Sequence, residues 1–188
     1  MEQTLKDLMT LTGLSTQDYN ILRNNASQTQ QWADEIVKIF YDTLFNYAPT
    51  AKIFKKGERS TREKVIRDWY LEVTSGTLSR HFWHRLWLLS SVHLSRGVTF
   101  SFMFGMMSRI EQVFLSKCLQ EFEPSQAETV YKAFKRVTDV TMGLIAEGYL
   151  TNHRIEKIEN VRAEEEGVSV FLTPWMMAKE LRAKKKHG

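Results

Sequence analysis

A single cysteine, Cys118, stands among the 188 residues, so no disulfide can form within the chain. Disulfide scaffolds and thiolate-rich zinc sites are excluded with it, and a reducing compartment is expected. Prolines are few, at 49, 124 and 174, and there are nine glycines. That is too little punctuation for the many turns of a β-sandwich or barrel. Long apolar runs are missing as well. The longest uncharged stretches, 97–108 and 167–178, are well short of the roughly 20 residues that a helix needs to cross a bilayer. The opening MEQTLKDLMT carries acids where a secretory leader would be apolar, so a cytoplasmic location is expected. An excess of charge is also lacking over most of the chain. The net +4 is supplied by the last ten residues, KELRAKKKHG, which set five bases against Glu180. The body is balanced, which argues against a nucleic-acid surface.

What remains is hydrophobic content of 43%, enough for one sizeable core, written in helical periods. Ser15 followed by Asp18 marks a helix start, the acid suiting the positive end. Ile36, Ile39, Phe40, Leu44 and Tyr47 recur at three- and four-residue steps and stop before Pro49. Arg62, Val65, Ile66, Trp69 and Val73 share a second face that ends near Gly76. Phe82, Leu86, Leu89 and His93 share a third. Phe100, Met103, Met107, Ile110, Phe114 and Cys118 define a long helix that Pro124 interrupts. Ser125 and Glu128 read as a capping box for the next helix, whose apolar face carries Val130, Phe134, Val137, Leu144 and Ile145. These last two helices, joined by a short turn, should form an antiparallel hairpin wide enough to cover a core and meet a second subunit. From about residue 156 the character changes. A charged stretch leads into VSVFLTPWMMA and the basic run, so a domain over 1–158 and an appendage over 159–188 are expected. The appendage would meet a partner, a membrane surface or the domain itself.

His93, in SSVHLSRG, is the residue that asks for chemistry. It is either a core histidine that packs or one that holds a metal. His81, His84, His153 and His187 form no Cys/His/carboxylate set with structural-zinc spacing. His81 and His84, beside Arg80 and Arg85, read as a solvated face. No C-x-x-C-H occurs, so covalent haem attachment is excluded. Non-covalent haem asks for less: one neutral imidazole, an apolar slot, and a distal side that admits a ligand.

The order of features is more specific. FYDTLFNYAP in one helix is followed by REKVIRDWYLEVTSG, then by VHLSRGVTF and a long hairpin. Over roughly residues 12 to 155 this resembles the globin-sensor family, the haem domain of globin-coupled sensors and the related protoglobins. The resemblance rests on the FY pair at Phe40 and Tyr41, on Gly76 and Phe82 with their spacing to His93, and on Arg96, Gly97 and Gly105. It implies an all-α globin-type fold with an extra N-terminal helix, no D helix and a long C-terminal hairpin. It implies one haem b, with His93 as proximal iron ligand and Tyr41 as distal donor to a bound gas, O2, CO or NO. Val65, Ile66 and Trp69 match distal-helix positions, and Phe40, Phe54, Leu89, Val92, Val98 and Met107 are expected in the wall. Arg62 or Arg96 would pair with the porphyrin carboxylates.

The chain also departs from the family pattern. GVTFSFMFG lacks the leucine–proline that usually follows the glycine, with Phe102 and Met103 at the aromatic positions. No histidine lies between Gly57 and Leu78, so the distal helix offers no second imidazole. Val65 stands where some relatives have a hydroxyl. The expected role is gas binding and sensing rather than catalysis, in a homodimer through the last two helices. No reductase, cyclase, kinase or signalling coiled coil is recognisable. The alternatives are a haem enzyme, of nitric-oxide dioxygenase or peroxidase type, and a haem-free signalling module of the same fold.

Overall fold

The computed structural model describes residues 1–165, with side chains to residue 152. The described chain is helical throughout. It runs α1 (Glu2–Thr12), α2 (Thr16–Asn24), α3 (Ala26–Thr29), a 3-10 turn (Gln30–Trp32), α4 (Ala33–Asn46), α5 (Ala48–Ala51), α6 (Arg59–Thr74), α7 (Arg80–Ser95), α8 (Phe100–Glu121) and α9 (Pro124–Glu165). The tail from residue 166 lies outside the described residues. The expected boundary at 158/159 falls within α9, which continues to Glu165.

The start and stop signals act locally. Asp18 accepts from the Ser15 N–H at 2.9 Å and hydroxyl at 3.1 Å, closing the start of α2. Although buried, this carboxylate is paired: Arg136 of α9 reaches it at 2.7 Å. Pro49 ends α4 and stands in the first turn of α5, where a missing N–H costs nothing. Gly76 follows α6 at φ 62°, and a Cβ there would lie 2.1 Å from the Tyr19 carbonyl oxygen. Only glycine lets the chain turn this close to α2.

Helix α9 is the axis of the fold. Helices α1, α2, α7 and α8 all pack on it, and α8 lies against it as the hairpin predicted. At its core Phe114 of α8 stacks on Phe134 of α9, centroids 3.8 Å apart and rings 8° from parallel. Tyr70 of α6 meets both rings edge-on and donates its hydroxyl to the Thr29 carbonyl at 2.6 Å.

The structure corrects four local readings. The Ser125–Glu128 capping box is not formed, because α9 already begins at Pro124 and Ser125 lies inside its first turn. Proline is well suited to that first helical position. Tyr47 lies beyond the end of α4 and is exposed. Phe100 is 37% exposed rather than core, and the buried face of α8 begins instead with Met106 and Met107. Val65 is 55% exposed, while the buried face of α6 is made by Tyr70, Val73 and Thr74. Val65 faces an open cavity rather than packed neighbours, and Phe100 lies at the start of α8 against Phe104 and Tyr149.

Candidate functional site

The cavity, of about 220 Å³, is enclosed by α4, the α5–α6 turn, α6, α7, α8 and α9. The residues expected to hold the haem all line it: Phe40, Tyr41, Phe54, Arg62, Val65, Ile66, Trp69, Leu89, Val92, His93, Arg96, Val98 and Met107. Its rim is apolar and uncovered, with Val65 55% and Val92 47% exposed. Exposed valines lining an open apolar slot are surface that a flat apolar ligand would cover.

On one side stands His93, in the last full turn of α7. That turn ends in a Schellman motif. Gly97 takes φ 72°, its N–H donates to the Leu94 carbonyl at 3.0 Å, and the Val98 N–H donates to the His93 carbonyl at 3.0 Å. Closing the helix this way holds the His93 backbone and turns Val98 back onto the cavity wall. The imidazole is half-buried. Burial first, and then the nearby Arg96 and Arg62 guanidinium groups, lower its pKa to about 4, so the ring is neutral at pH 7. Nδ1 lies 2.8 Å from the Met103 sulfur. Nε2 has no protein partner among the described residues. A neutral ring with one free nitrogen facing an apolar cavity has the chemistry of a metal ligand. No group of three or more His, Cys, Asp or Glu side chains comes together among the described residues. A metal here would therefore bring most of its own coordination, as a porphyrin iron does.

On the other side stands Tyr41, buried within the aromatic group of Phe40, Phe45 and Phe54. Burial raises its pKa well above the ordinary phenol value, so it keeps its proton. Its hydroxyl has no protein hydrogen-bond partner among the described residues, which leaves a donor free toward the cavity.

At the mouth, Glu58 gathers both arginines. Arg96 grips its two carboxylate oxygens at 2.6 and 3.2 Å and also donates to the Ile53 carbonyl at 3.2 Å. Arg62 reaches Glu58 at 3.3 Å, but its Nε is buried and without a partner. Arg96 is thus largely committed to Glu58, and Arg62 is the arginine with a donor to spare. Glu58 escaped the sequence reading because 38 residues separate it from Arg96 and no local pattern joins them. Leu44, Thr50, Ile53, Leu86, Phe102, Met103, Met106, Ile110, Thr141, Met142 and Ile145 also line the cavity. The apolar period indicated Ile110, Ile145 and Met103 as helix-face residues but could not say which of two neighbours that face would meet. His81 and His84 are exposed, as a solvated face should be.

A family model, Protoglobin, matches residues 1–154. The globin domain of a globin-coupled sensor from Geobacter sulfurreducens superposes with a TM-score of 0.71 at 17% identity, over 77% of this chain and 96% of that one. At that identity the likeness speaks for the fold alone. No curated protein matches the chain. The described helices include none long and apolar enough to cross a membrane.

Proposed function

The chain belongs to the protoglobin family and has a globin fold, and from that premise we propose that its cavity holds one haem b and works as a sensor of diatomic gas. The observation that carries this reading is that a neutral His93 and a neutral Tyr41, whose Nε2 and hydroxyl have no hydrogen-bond partner among the described residues, line the same apolar cavity. When bound, the haem supplies an iron with a position open to O2, CO or NO. The chain supplies the rest. His93 offers Nε2 to the metal from a helix end that the Schellman motif holds still. Tyr41 donates its phenol proton in a hydrogen bond to a polar gas ligand, and the dry surroundings strengthen that bond. Phe40, Phe54, Val65, Ile66 and Trp69 keep water from the distal side, while Leu89, Val92, Val98 and Met107 pack the opposite wall. Arg62 offers its unpartnered Nε to a porphyrin carboxylate.

Apart from His93, the ionisable groups of the cavity are Tyr41, Arg62 and Arg96, so a reaction of peroxidase type would find no acid–base pair on the distal side. The protein is proposed to act in the cytoplasm as a homodimer through α8 and α9, where Phe104, Leu119 and Leu150 are exposed. The haem domain would span 1–158 and the appendage 159–188 would carry the signal to a protein or membrane partner.

The test is an absorption spectrum of the protein and of His93→Ala, each reconstituted with haem, reduced and exposed to CO. An intense Soret band with a histidine-ligated CO spectrum, lost or altered in the variant, is expected. Failure of both proteins to hold haem stoichiometrically would make His93 a packing histidine and sink the reading, leaving a haem-free module. Tyr41→Phe should release O2 faster at unchanged haem content, and an unchanged rate would remove Tyr41 from the distal side.

A further inference from the structure

We propose that Met103 is a positioning residue for His93: its thioether accepts the Nδ1 proton, fixes the imidazole as the Nδ1–H tautomer, and so leaves Nε2 bare toward the cavity. The inference rests on the haem reading only for its consequence at the metal.

The two side chains come from different helices. His93 sits in the last turn of α7 and Met103 in the first turns of α8, and the sharp 96–99 corner between them brings Nδ1 to 2.8 Å from the sulfur. No other hydrogen-bond partner of this nitrogen is found among the described residues. The Glu58 carboxylate is engaged by the neighbouring Arg96, by Arg62 and by the Lys55 N–H. The His93 carbonyl is occupied by the N–H groups of Arg96 and Val98. A thioether accepts weakly and never donates, so a hydrogen bond at this contact puts the proton on Nδ1. A ring with its proton on Nδ1 has its lone pair on Nε2.

The sulfur is itself held. The Tyr149 hydroxyl of α9 donates to the Val98 carbonyl at 2.7 Å and lies 3.5 Å from the Met103 sulfur. Its single proton is spent on the carbonyl, so it fences the thioether without competing for it. One contact chain therefore joins α7, α8 and α9 at the ring of His93.

The identity of the acceptor has a chemical consequence. A carboxylate or carbonyl that takes the second proton of a ligating histidine makes the ring a stronger electron donor. A thioether does so less, because it accepts weakly. His93 should therefore be a comparatively poor donor, and replacing Met103 by a better acceptor should strengthen its bond to the metal.

The experiment uses the full chain with 15N-labelled histidine. In the haem-free protein, two-bond proton–nitrogen correlations report the tautomer of each ring, and loss of one set in His93→Gln assigns it. The Nδ1–H form is expected for His93, giving way to Nε2–H or a mixture in Met103→Leu, a change of nearly equal volume. Met103→Gln, whose carbonyl oxygen can accept, should restore Nδ1–H. An Nε2–H ring in the parent protein, or a tautomer indifferent to both substitutions, overturns the proposal. In the haem-loaded ferrous proteins, the iron–histidine stretching frequency should rise in the order Leu, Met, Gln at position 103. Equal frequencies would overturn the consequence at the metal. Failure to bind haem would sink the functional reading, while the haem-free tautomer would still decide the role of Met103.

Discussion

The two ends of the helical bundle obey different rules. At the α2–α6–α8–α9 end, Phe114 and Phe134 stack, Tyr70 closes over both, and its hydroxyl is spent on the Thr29 carbonyl. At the cavity end, a second tyrosine, Tyr41, is almost as deeply buried, yet its hydroxyl is left free. Near it the Arg62 Nε is also buried without a partner, and the valines of the rim face outward. Most buried polar groups of a core are satisfied; among the described residues the Trp32 Nε1, beside Phe114 and Phe122, is the orphan of the core end. The contrast between core and site is therefore drawn by the two tyrosines, of like burial and unlike satisfaction.

The largest effect that would sharpen this contrast is loss of a core ring. Phe134→Ala should cost about 3–5 kcal/mol, read as a lowered midpoint in urea or heat unfolding of the haem-free protein. Val65→Ala, at the exposed rim, should change stability by about 0.5 kcal/mol or less. Comparable losses at both positions would mean that the cavity wall is core after all.

The tyrosines give the next largest effect. Tyr70→Phe leaves the buried Thr29 carbonyl without its 2.6 Å donor and should cost about 1–3 kcal/mol. Tyr41→Phe removes a hydroxyl that no described protein group uses, so it should leave the stability of the haem-free protein unchanged or slightly higher. If the two variants lose equal stability, the Tyr41 hydroxyl has a structural partner and the contrast fails.

Much of this contrast was legible beforehand. Pro49, Gly76 and Gly97 mark helix ends by their chemistry, and each marks one here. The cluster around His93 and Tyr41 followed from the family pattern, and the fold brings those residues to one cavity. The misreadings fall where periodicity loses its meaning. Helix α9 is buried on nearly every side, at Val137, Thr138, Val140, Thr141, Leu144 and Ile145, so no single face could mark Thr141, Met142 and Ile145 as cavity wall. In α8, an apolar period cannot tell a neighbour's surface from a void, and Met106, which lines the cavity, was overlooked. The Glu58–Arg96 pair and the His93–Met103 contact are matters of tertiary placement, and no spacing rule reaches them.

The smallest effect concerns that pair and belongs to the cavity mouth. Arg96, the Lys55 N–H and Arg62 hold the Glu58 carboxyl down at about 2, against an ordinary 4.5. A carboxylate whose pKa is depressed by folding binds fewer protons in the folded than in the unfolded chain. Its contribution to stability is therefore complete above about pH 4.5 and is lost as the pH falls from there through about 2. Glu58 lies at the surface of the mouth, where water screens its ion pairs, so the contribution is modest. Glu58→Gln should flatten that part of the stability–pH curve of the haem-free protein and change little at neutral pH. At the core end, Tyr70 is pushed up by burial and stays neutral throughout acid and neutral pH. A substitution that leaves the acid limb unchanged would show that the Arg96 grip on Glu58 is not made in solution. The end of α7, and with it His93, would then be held by the Schellman turn and by the Tyr149 hydroxyl on the Val98 carbonyl, without the ion pair.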